Sequence, residues 1–426
     1  MTYQEFINLA EKKGINNIQI TEETKIENSI YFINKNIYDY TNNENISFII
    51  KAEKNGKTEQ VATEYLEKEI IDLLLEKLES TETNYQNEYL KEKENIIINE
   101  TINVDISNDI KEIKQVINEF NKKRNIKSLE IAYGETYTKT RIINNAKVDI
   151  ATSSHNYELY VEANIEEKSN ISTYSEKIIV NNKNELNFKN IIEKVIETAS
   201  CGLKRKQLEN KKYNIILSNE VTSQIMKTFA TMLSGANINQ KISCLEHKKN
   251  KQIFSEKITI VEEPTNKTMP GYTRFDKEGT TTYDKYLVEN GIIRNYLYDI
   301  KEAKIAKTKS TGNKYNGIET KNMYILPGKN ELEELFKKLG NGIYITNYMG
   351  ASGTCINSNS GNISIQIFGY IIENGKIICA FEPSIMTTTI FELFSNVKYI
   401  GDDLKFTSQA VGAPSLYIEN ISIAAK

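Results

Sequence analysis

The stretch Ile363-Ser-Ile-Gln-Ile-Phe-Gly-Tyr-Ile-Ile-Glu373-Asn374-Gly375-Lys376-Ile-Ile-Cys-Ala-Phe381 decides the fold class. Two apolar runs, Ile363–Ile372 and Lys376–Phe381, flank Glu373-Asn374-Gly375. Asn and Gly both tolerate positive φ, so Asn-Gly between apolar runs signals a tight hairpin. The signature recurs at Glu289-Asn290-Gly291, between Tyr283–Leu287 and Ile292–Tyr298. Lys257–Val261, Met323–Leu326, Gly342–Asn347 and Leu416–Ile423 add strand-like runs. A short apolar strand, Tyr213–Leu217, and a helix over Val221–Leu233 with Ile225, Met226, Phe229 and Met232 precede them. The pattern predicts a largely antiparallel sheet or partial barrel.

Working outward, Gly and Pro divide the chain. All five Pro and 17 of the 20 Gly follow residue 200. Gly and Pro mark turns, so the first half should hold regular elements and the second half strands joined by tight turns. The expected boundary lies near Leu208–Tyr213, giving domains 1–208 and 209–426. In the first half, Thr2–Lys13, Val61–Leu78, Asn108–Lys122 and Phe188–Thr198 read as helices. Leu66, Ile70, Leu73, Leu74 and Leu78 recur at the three- and four-residue spacing of a core-facing stripe. Asn17–Lys54 contains strand-like runs, as do Leu129–Tyr133, Thr138–Ile143, Lys147–Thr152 and Glu158–Ile165. The fold class is α+β: an N-terminal α+β domain, then a strand-rich, largely antiparallel C-terminal domain. No period of 20–50 residues repeats.

Composition bounds the function. The 426 residues carry 54 Lys+Arg against 57 Asp+Glu, a net charge of -3. That balance excludes a generally basic nucleic-acid binder. No run of 18 apolar residues occurs, so no membrane span is expected. Met1-Thr-Tyr-Gln-Glu-Phe lacks the basic start and apolar block of a secretory signal. Four Cys are too few for a disulfide framework. The expectation is a reduced, cytoplasmic protein. The abundance of Lys, Asn and Ile reads as codon bias.

The scarcity of His limits the chemistry. Only His155 and His247 are present. A hydrolytic zinc site takes three protein ligands and an open position, and no H-E-x-x-H pair exists. Cys244-x-x-His247 could give two ligands, with Cys201, Cys355 or Cys379 joining, but a buried Cys beside a surface His flanked by Lys248 and Lys249 is the better reading. Gly350-Ala-Ser352-Gly353 is not a G-x-S-x-G elbow, because the second Gly comes one residue early. Cys355 reads as a structural thiol. Glu262-Glu263 and Asp402-Asp403 read as solvated turn residues, since adjacent acids on a strand point to opposite faces. The Lys301, Lys304, Lys307, Lys309 and Lys314 run reads as a solvated helix face. Neither a G-x-G-x-x-G fingerprint nor a phosphate loop occurs.

What survives is a set of Gly-, Ser-, Thr- and Asn-rich loops: Ser310-Thr311-Gly312-Asn313, Gly350–Gly361 and Met386-Thr-Thr-Thr389. Such loops expose backbone groups and permit close approach of another chain. Ser310, Thr311, Gly312, Asn313, Gly350, Ser352, Gly353, Gly361, Asn362 and Ser364 are the candidate peptide-binding residues. Strand addition by an extended peptide would suit a sheet-rich groove.

Four segments together resemble the TldD/PmbA family, also called modulators of DNA gyrase. They are Phe275-Asp-Lys-Glu278-Gly279-Thr; Gly291-Ile-Ile-Arg-Asn-Tyr296-Leu-Tyr-Asp299 through Ala303 to Ser310-Thr-Gly-Asn313; Ser360-Gly361-Asn-Ile-Ser364 with Gly369–Lys376; and Ile400-Gly401-Asp-Asp403-Leu with Gly412-Ala-Pro414-Ser-Leu. The resemblance implies two branches. TldD-like subunits carry an H-E-x-x-x-H helix and a further Cys near the C-terminus. PmbA-like (TldE-like) subunits lack them and pair with the first to form a cytoplasmic metalloprotease. Here the corresponding helix, Val221–Leu233, holds no His, and Lys405–Pro414 holds no Cys. The chain therefore resembles the PmbA-like branch, with no catalytic or metal residue of its own and zinc expected in the TldD-like partner subunit. The implied substrate is a small or unfolded peptide, with this chain contributing binding surface and chamber walls. The alternative is a stand-alone, homodimeric peptide-binding or scaffold protein. A third reading is an enzyme built on Cys244 and His247.

Overall fold

The computed structural model describes residues 1–81, 104–120, 126–168, 170–349 and 355–425. Both Asn-Gly turns form as the sequence predicts. Asn374 and Gly375 have φ of 51° and 73°, and Asn290 and Gly291 have 48° and 78°. Each joins an antiparallel pair, in register at Glu373↔Lys376 and Glu289↔Ile292.

The N-terminal part is built on one six-stranded sheet. Its strands are β1 (Asn17–Ile33), β2 (Asn36–Lys54), β3 (Lys57–Thr63), β4 (Ile126–Asn144), β5 (Asp149–Glu167) and β6 (Asn170–Val180), in the order β3-β2-β1-β4-β5-β6. Every pairing is antiparallel. Helices α1 (Tyr3–Lys12), α2 (Lys68–Ser80), α3 (Ser107–Phe120) and α4 (Phe188–Cys201) accompany it. Thr2 and Glu5 form a reciprocal capping box that starts α1.

Strand residues alternate between faces, and the alternation gives this sheet two different sides. Ile18, Ile20, Ile30 and Phe32 of β1, with Leu129 and Ile131 of β4 and Leu159 and Val161 of β5, lie under the helices. Phe6 and Ala10 of α1, Ile71 and Leu74 of α2, and Phe188, Ile192 and Val195 of α4 complete these two apolar clusters. The opposite face is polar and is described below.

The C-terminal part holds two more sheets. Its elements are β7 (Arg205–Lys206), β8 (Lys211–Leu217), α5 (Asn219–Met232), α6 (Gly235–Asn239), β9 (Ile260–Glu262), β10 (Lys285–Glu289), β11 (Ile292–Ile293), α7 (Ile300–Ile305), β12 (Met323–Ile325), α8 (Leu332–Leu339), β13 (Gly342–Met349), β14 (Asn362–Glu373), β15 (Lys376–Phe381), β16 (Ser384–Thr389), α9 (Ile390–Ser395), β17 (Val397–Ile400), β18 (Lys405–Phe406), β19 (Val411–Ala413) and β20 (Leu416–Ala425). One sheet runs β11-β10-β9-β12-β19-β18 and the other β13-β8-β20-β16-β14-β15-β7, with β17 pairing β20. Val221, Ile225, Met226, Phe229 and Met232 of α5 enter one large core with Ile215, Ile260, Ile365 and Ile418. Burial of this apolar area is the main stabilising contribution here.

Several expectations are corrected. Val61 lies in β3, and the helix expected from there begins at Lys68; β3 pairs β2 through the Asn55-Gly56 turn, and that ladder overrides the helical spacing. The separate runs read in 129–143 and 147–165 are two continuous 19-residue strands. Met386-Thr-Thr-Thr389 is not a loop but part of β16, held between β14 and β20. Glu262 is not solvated: it is fully buried opposite Lys285 on the neighbouring strand. Lys314 leaves the solvated run and pairs with Asp299 at 3.0 Å. Among the described residues, no helix is long and apolar enough to cross a membrane.

Candidate functional site

The polar face of the N-terminal sheet is a grid set by strand register. Glu23, Lys25 and Glu27 of β1 stand opposite Thr140, Thr138 and Thr136 of β4. These in turn stand opposite Thr152, Ser154 and Asn156 of β5. All nine side chains line a cavity of about 570 Å³ between this sheet and the C-terminal part. The far wall comes from three loop segments: Tyr272–Lys277, Tyr315–Lys321 and Thr407–Ala410.

Each wall is held by specific bonds. Asp276 is buried and accepts from the amides of Glu278, Thr280 and Lys314 at 3.0, 2.9 and 3.0 Å. One carboxylate thus ties the Phe275–Thr280 motif to the segment after Asn313. Burial pushes its pKa up to about 7, against the pull of those amides. Phe275 forms one apolar cluster with Ile142 of β4, Ile150 of β5 and Val148 of their connection. Lys277 pairs with Glu23 at 3.0 Å, and the Arg274 amide reaches the Thr152 hydroxyl at 3.4 Å. The segment 407–410 is pinned to β12 by Asn322 N–H to Gln409 O at 3.0 Å and Met323 N–H to Ala410 O at 2.9 Å. A second joint closes away from these contacts. Glu176 of β6 accepts from Lys194 of α4 and Lys405 of β18, both at 2.9 Å. Burial alone would raise that carboxyl, but the two ammonium groups hold it down at about 2.

The candidate peptide-binding residues divide among different environments. Thr311 and Asn313 are buried. The Ser310 hydroxyl donates to Tyr298 O at 3.1 Å, and the Thr311 hydroxyl accepts from Tyr298 N–H at 2.7 Å. Gly312 has φ of 71° and lies against Thr281 and Thr282, where a Cβ would meet the Thr281 carbonyl at 3.0 Å. Asn313 donates to Glu262 Oε1 at 2.7 Å and to Glu319 O at 2.9 Å. This segment builds the wall rather than facing the cavity. Gly361 is buried, whereas Asn362 and Ser364 are exposed on alternate positions of β14. Gly350, Ser352 and Gly353 lie outside the described residues. The structure brings Ser310–Asn313 together around Tyr298 and Glu262, and places Gly361–Ser364 elsewhere, on β14.

The reactive side chains are scattered. His155 of β5 contacts Glu135 Oε1 at 2.7 Å. His247 is 84% exposed beside Glu246. Cys244 is exposed rather than buried as expected, and partial desolvation pushes its thiol up, away from the thiolate form a nucleophile uses. All four Cys are free. Helix α5 packs against β19; its buried side chains include Thr222, Ser223 and Met226, and its one carboxylate, Glu220, lies near Lys405 and Glu176, with no imidazole on the helix. Among the described residues, no group of three His, Cys, Asp or Glu side chains converges as a metal site would need.

The grid is not legible in the sequence alone. Its signal was present in the period-two alternation Thr136-Tyr-Thr138-Lys-Thr140 and Thr152-Ser-Ser154-His-Asn156. Alternation shows which residues share a face, but not that the two faces are one.

Residues 210–425 match the PmbA/TldA metallopeptidase C-terminal domain. A metalloprotease PmbA homologue of Buchnera aphidicola is 29% identical over 245 residues, covering 56% of this chain and 53% of that protein. A metalloprotease TldD homologue of the same species is 30% identical over 194 residues, 41% of this chain and 40% of the relative. The chain spans about half the length of the curated relatives it matches. A Thermotoga maritima protein named as a modulator of a DNA gyrase superposes with a TM-score of 0.90 at 25% identity, covering 99% of this chain and 100% of that one. The fold of TldE from Thermococcus kodakarensis also matches, with a TM-score of 0.84 at 19% identity over 99% of both chains.

Proposed function

The chain belongs to the PmbA/TldD metallopeptidase family, and from that premise we propose that it is the PmbA-like, TldE-like subunit of a cytoplasmic two-subunit metalloprotease. In this reading it binds small or unfolded peptides and supplies chamber walls, while a TldD-like partner supplies zinc and its activated water.

The observation that carries the reading is the chemistry of α5 and the 405–414 segment. The helix packs on β19, so the two places where the family's TldD-like branch is expected to carry its ligands are neighbours here. They hold no imidazole or thiol: beside the hydroxyls of Thr222, Ser223, Thr407 and Ser408 the one carboxylate is Glu220 of α5, near Lys405 and Glu176, and one carboxylate falls short of the three protein ligands a hydrolytic zinc takes. Neutral hydroxyls are poor ligands for zinc, which takes thiolate, imidazole or carboxylate. The residues present therefore do not fit the ion, and no hydrolytic step is assigned to this chain.

What the chain does offer is the hydroxyl- and amide-lined cleft beside that same segment. Such a lining suits an extended backbone, which needs donors and acceptors at regular intervals. Affinity purification of the full chain from its native cell tests the proposal. Recovery with an H-E-x-x-x-H relative, and peptide cleavage only by the pair, supports it. A homodimer without such a partner favours the stand-alone binding protein instead.

A further inference from the structure

The cleft contains polar groups that its own walls leave unanswered. Asn156 is 3% exposed and lines both the main cavity and an adjoining one of about 400 Å³. Among the described residues neither its Nδ2 nor its Oδ1 has a hydrogen-bond partner, and the same holds for Oγ1 of Thr407, buried on the opposite wall. An unpaired buried polar group costs roughly 1–3 kcal/mol, so a carboxamide orphaned at two atoms points to a missing guest.

The cations of the cleft are not equivalent. Lys277 is paired with Glu23, Lys177 with Glu158, and Lys25 with Glu27. Among the described residues Lys321 makes no ion pair: its Nζ donates to Gln409 Oε1 at 2.9 Å and lies 5.0 Å from the centre of the Tyr315 ring, while the Glu319 and Glu23 carboxylates act on it from longer range. Burial holds this ammonium below its ordinary pKa, a cost that an arriving anion would offset.

Resting on the peptide-binding reading above, we propose that the cleft is selective for the free carboxylate end of a peptide, with Lys321 receiving the carboxylate and Asn156 reading an adjacent peptide unit. A carboxamide presents two donors and an acceptor, the complement of a peptide N–H and C=O. Glu23, Glu27, Glu158 and Glu319 line the same cavity, so a multiply charged anion such as a phosphate is disfavoured against a monoanion. The cavity volume falls within the roughly 300–1,000 Å³ typical of ligand sites.

Calorimetric titration of the full chain with the peptide Ala-Ala-Gly-Ala, as free acid and as C-terminal amide, tests this. The free acid should bind about tenfold tighter or more, as a desolvated charge-assisted pair predicts. Lys321→Met should bring the two affinities together by weakening the free acid far more than the amide. Asn156→Leu should weaken both forms and keep their ratio, with thermal melts reporting that each variant is folded. Equal binding of acid and amide by the parent chain, no binding of either, or a ratio preserved in Lys321→Met would overturn the inference. The subunit reading is judged separately: a pair that assembles and cleaves acid and amide peptides alike would keep that reading and remove this one.

Discussion

Asn313 Nδ2 donates to Glu262 Oε1 at 2.7 Å, and both residues are fully buried. The other side of Glu262 faces Lys285 Nζ at 2.8 Å, and the Lys321 amide also donates to Oε1 at 2.8 Å. A residue that looked like an exposed loop donor is thus the keystone of a buried charge network beneath the cleft wall. Replacing it with Leu should cost about 2 kcal/mol, because a buried carboxylate loses a donor it cannot replace with water. Urea unfolding of Asn313→Leu checks this; an unchanged midpoint would show that the amide contributes nothing.

The Glu262–Lys285 pair should behave asymmetrically. Lys285→Met alone leaves an uncompensated buried carboxylate, an expected loss of about 3–5 kcal/mol. Combining it with Glu262→Leu should recover part of that loss, since paired burial of charge gains little over apolar packing, while the Asn313 amide and the Lys321 N–H lose their acceptor. A double-mutant cycle by denaturant unfolding measures the difference, and additive losses would contradict it.

Ser415 and Asp403 tie together the two halves of the last family-like segment. The Ser415 amide and hydroxyl donate to Asp403 Oδ1 and Oδ2 at 2.8 and 2.7 Å. Gly401 sits directly against that carboxylate, where a Cβ would collide with Asp403 Oδ1. Gly401→Ala should therefore destabilise by about 1–3 kcal/mol through forced displacement. Gly317→Ala is the control, since an added Cβ meets only the Glu319 side chain there, at 4.0 Å. Comparable thermal midpoints for the two variants would refute the close-approach argument.

Two carboxyls at the junction give opposite pH slopes. Glu176 is held at about 2 in the folded chain, below its unfolded value, so its stabilisation is present above pH 4.5 and lost as pH falls toward 2. Asp276 is raised to about 7, so its contribution is present below pH 4 and fades as pH rises through 7. Glu176→Gln should flatten the acid limb of the stability profile, and Asp276→Asn the limb between pH 4 and 7. Unfolding at a series of pH values reads both, and a variant profile parallel to the parent's would contradict its assignment.

How much of this was legible follows from how local each signal is. The Asn-Gly hairpins, the α5 stripe and the Phe188 helix are fixed by neighbours in sequence, and they form. The β2–β3 hairpin across Asn55-Gly56 takes up the residues of the expected helix's first turns, because strand pairing set by that turn outweighs helical spacing. Glu262 looked solvated because its partner Lys285 arrives from another strand. The polar grid needed three strands in register before Glu27, Thr136 and Asn156 could be seen as one row. The family-like motifs were visible as residues, but the reason for them, such as Asp276 gathering three amides, appears only once the loops are folded.

The central claim is that this chain contributes a cleft and not an ion. Native mass spectrometry of the full chain, purified alone and supplied with one equivalent of zinc, tests it together with a peptide-cleavage assay on the same sample. The account predicts the mass of the metal-free chain and no turnover until a TldD-like partner is added. One zinc retained per chain, with cleavage by the lone chain, would contradict it.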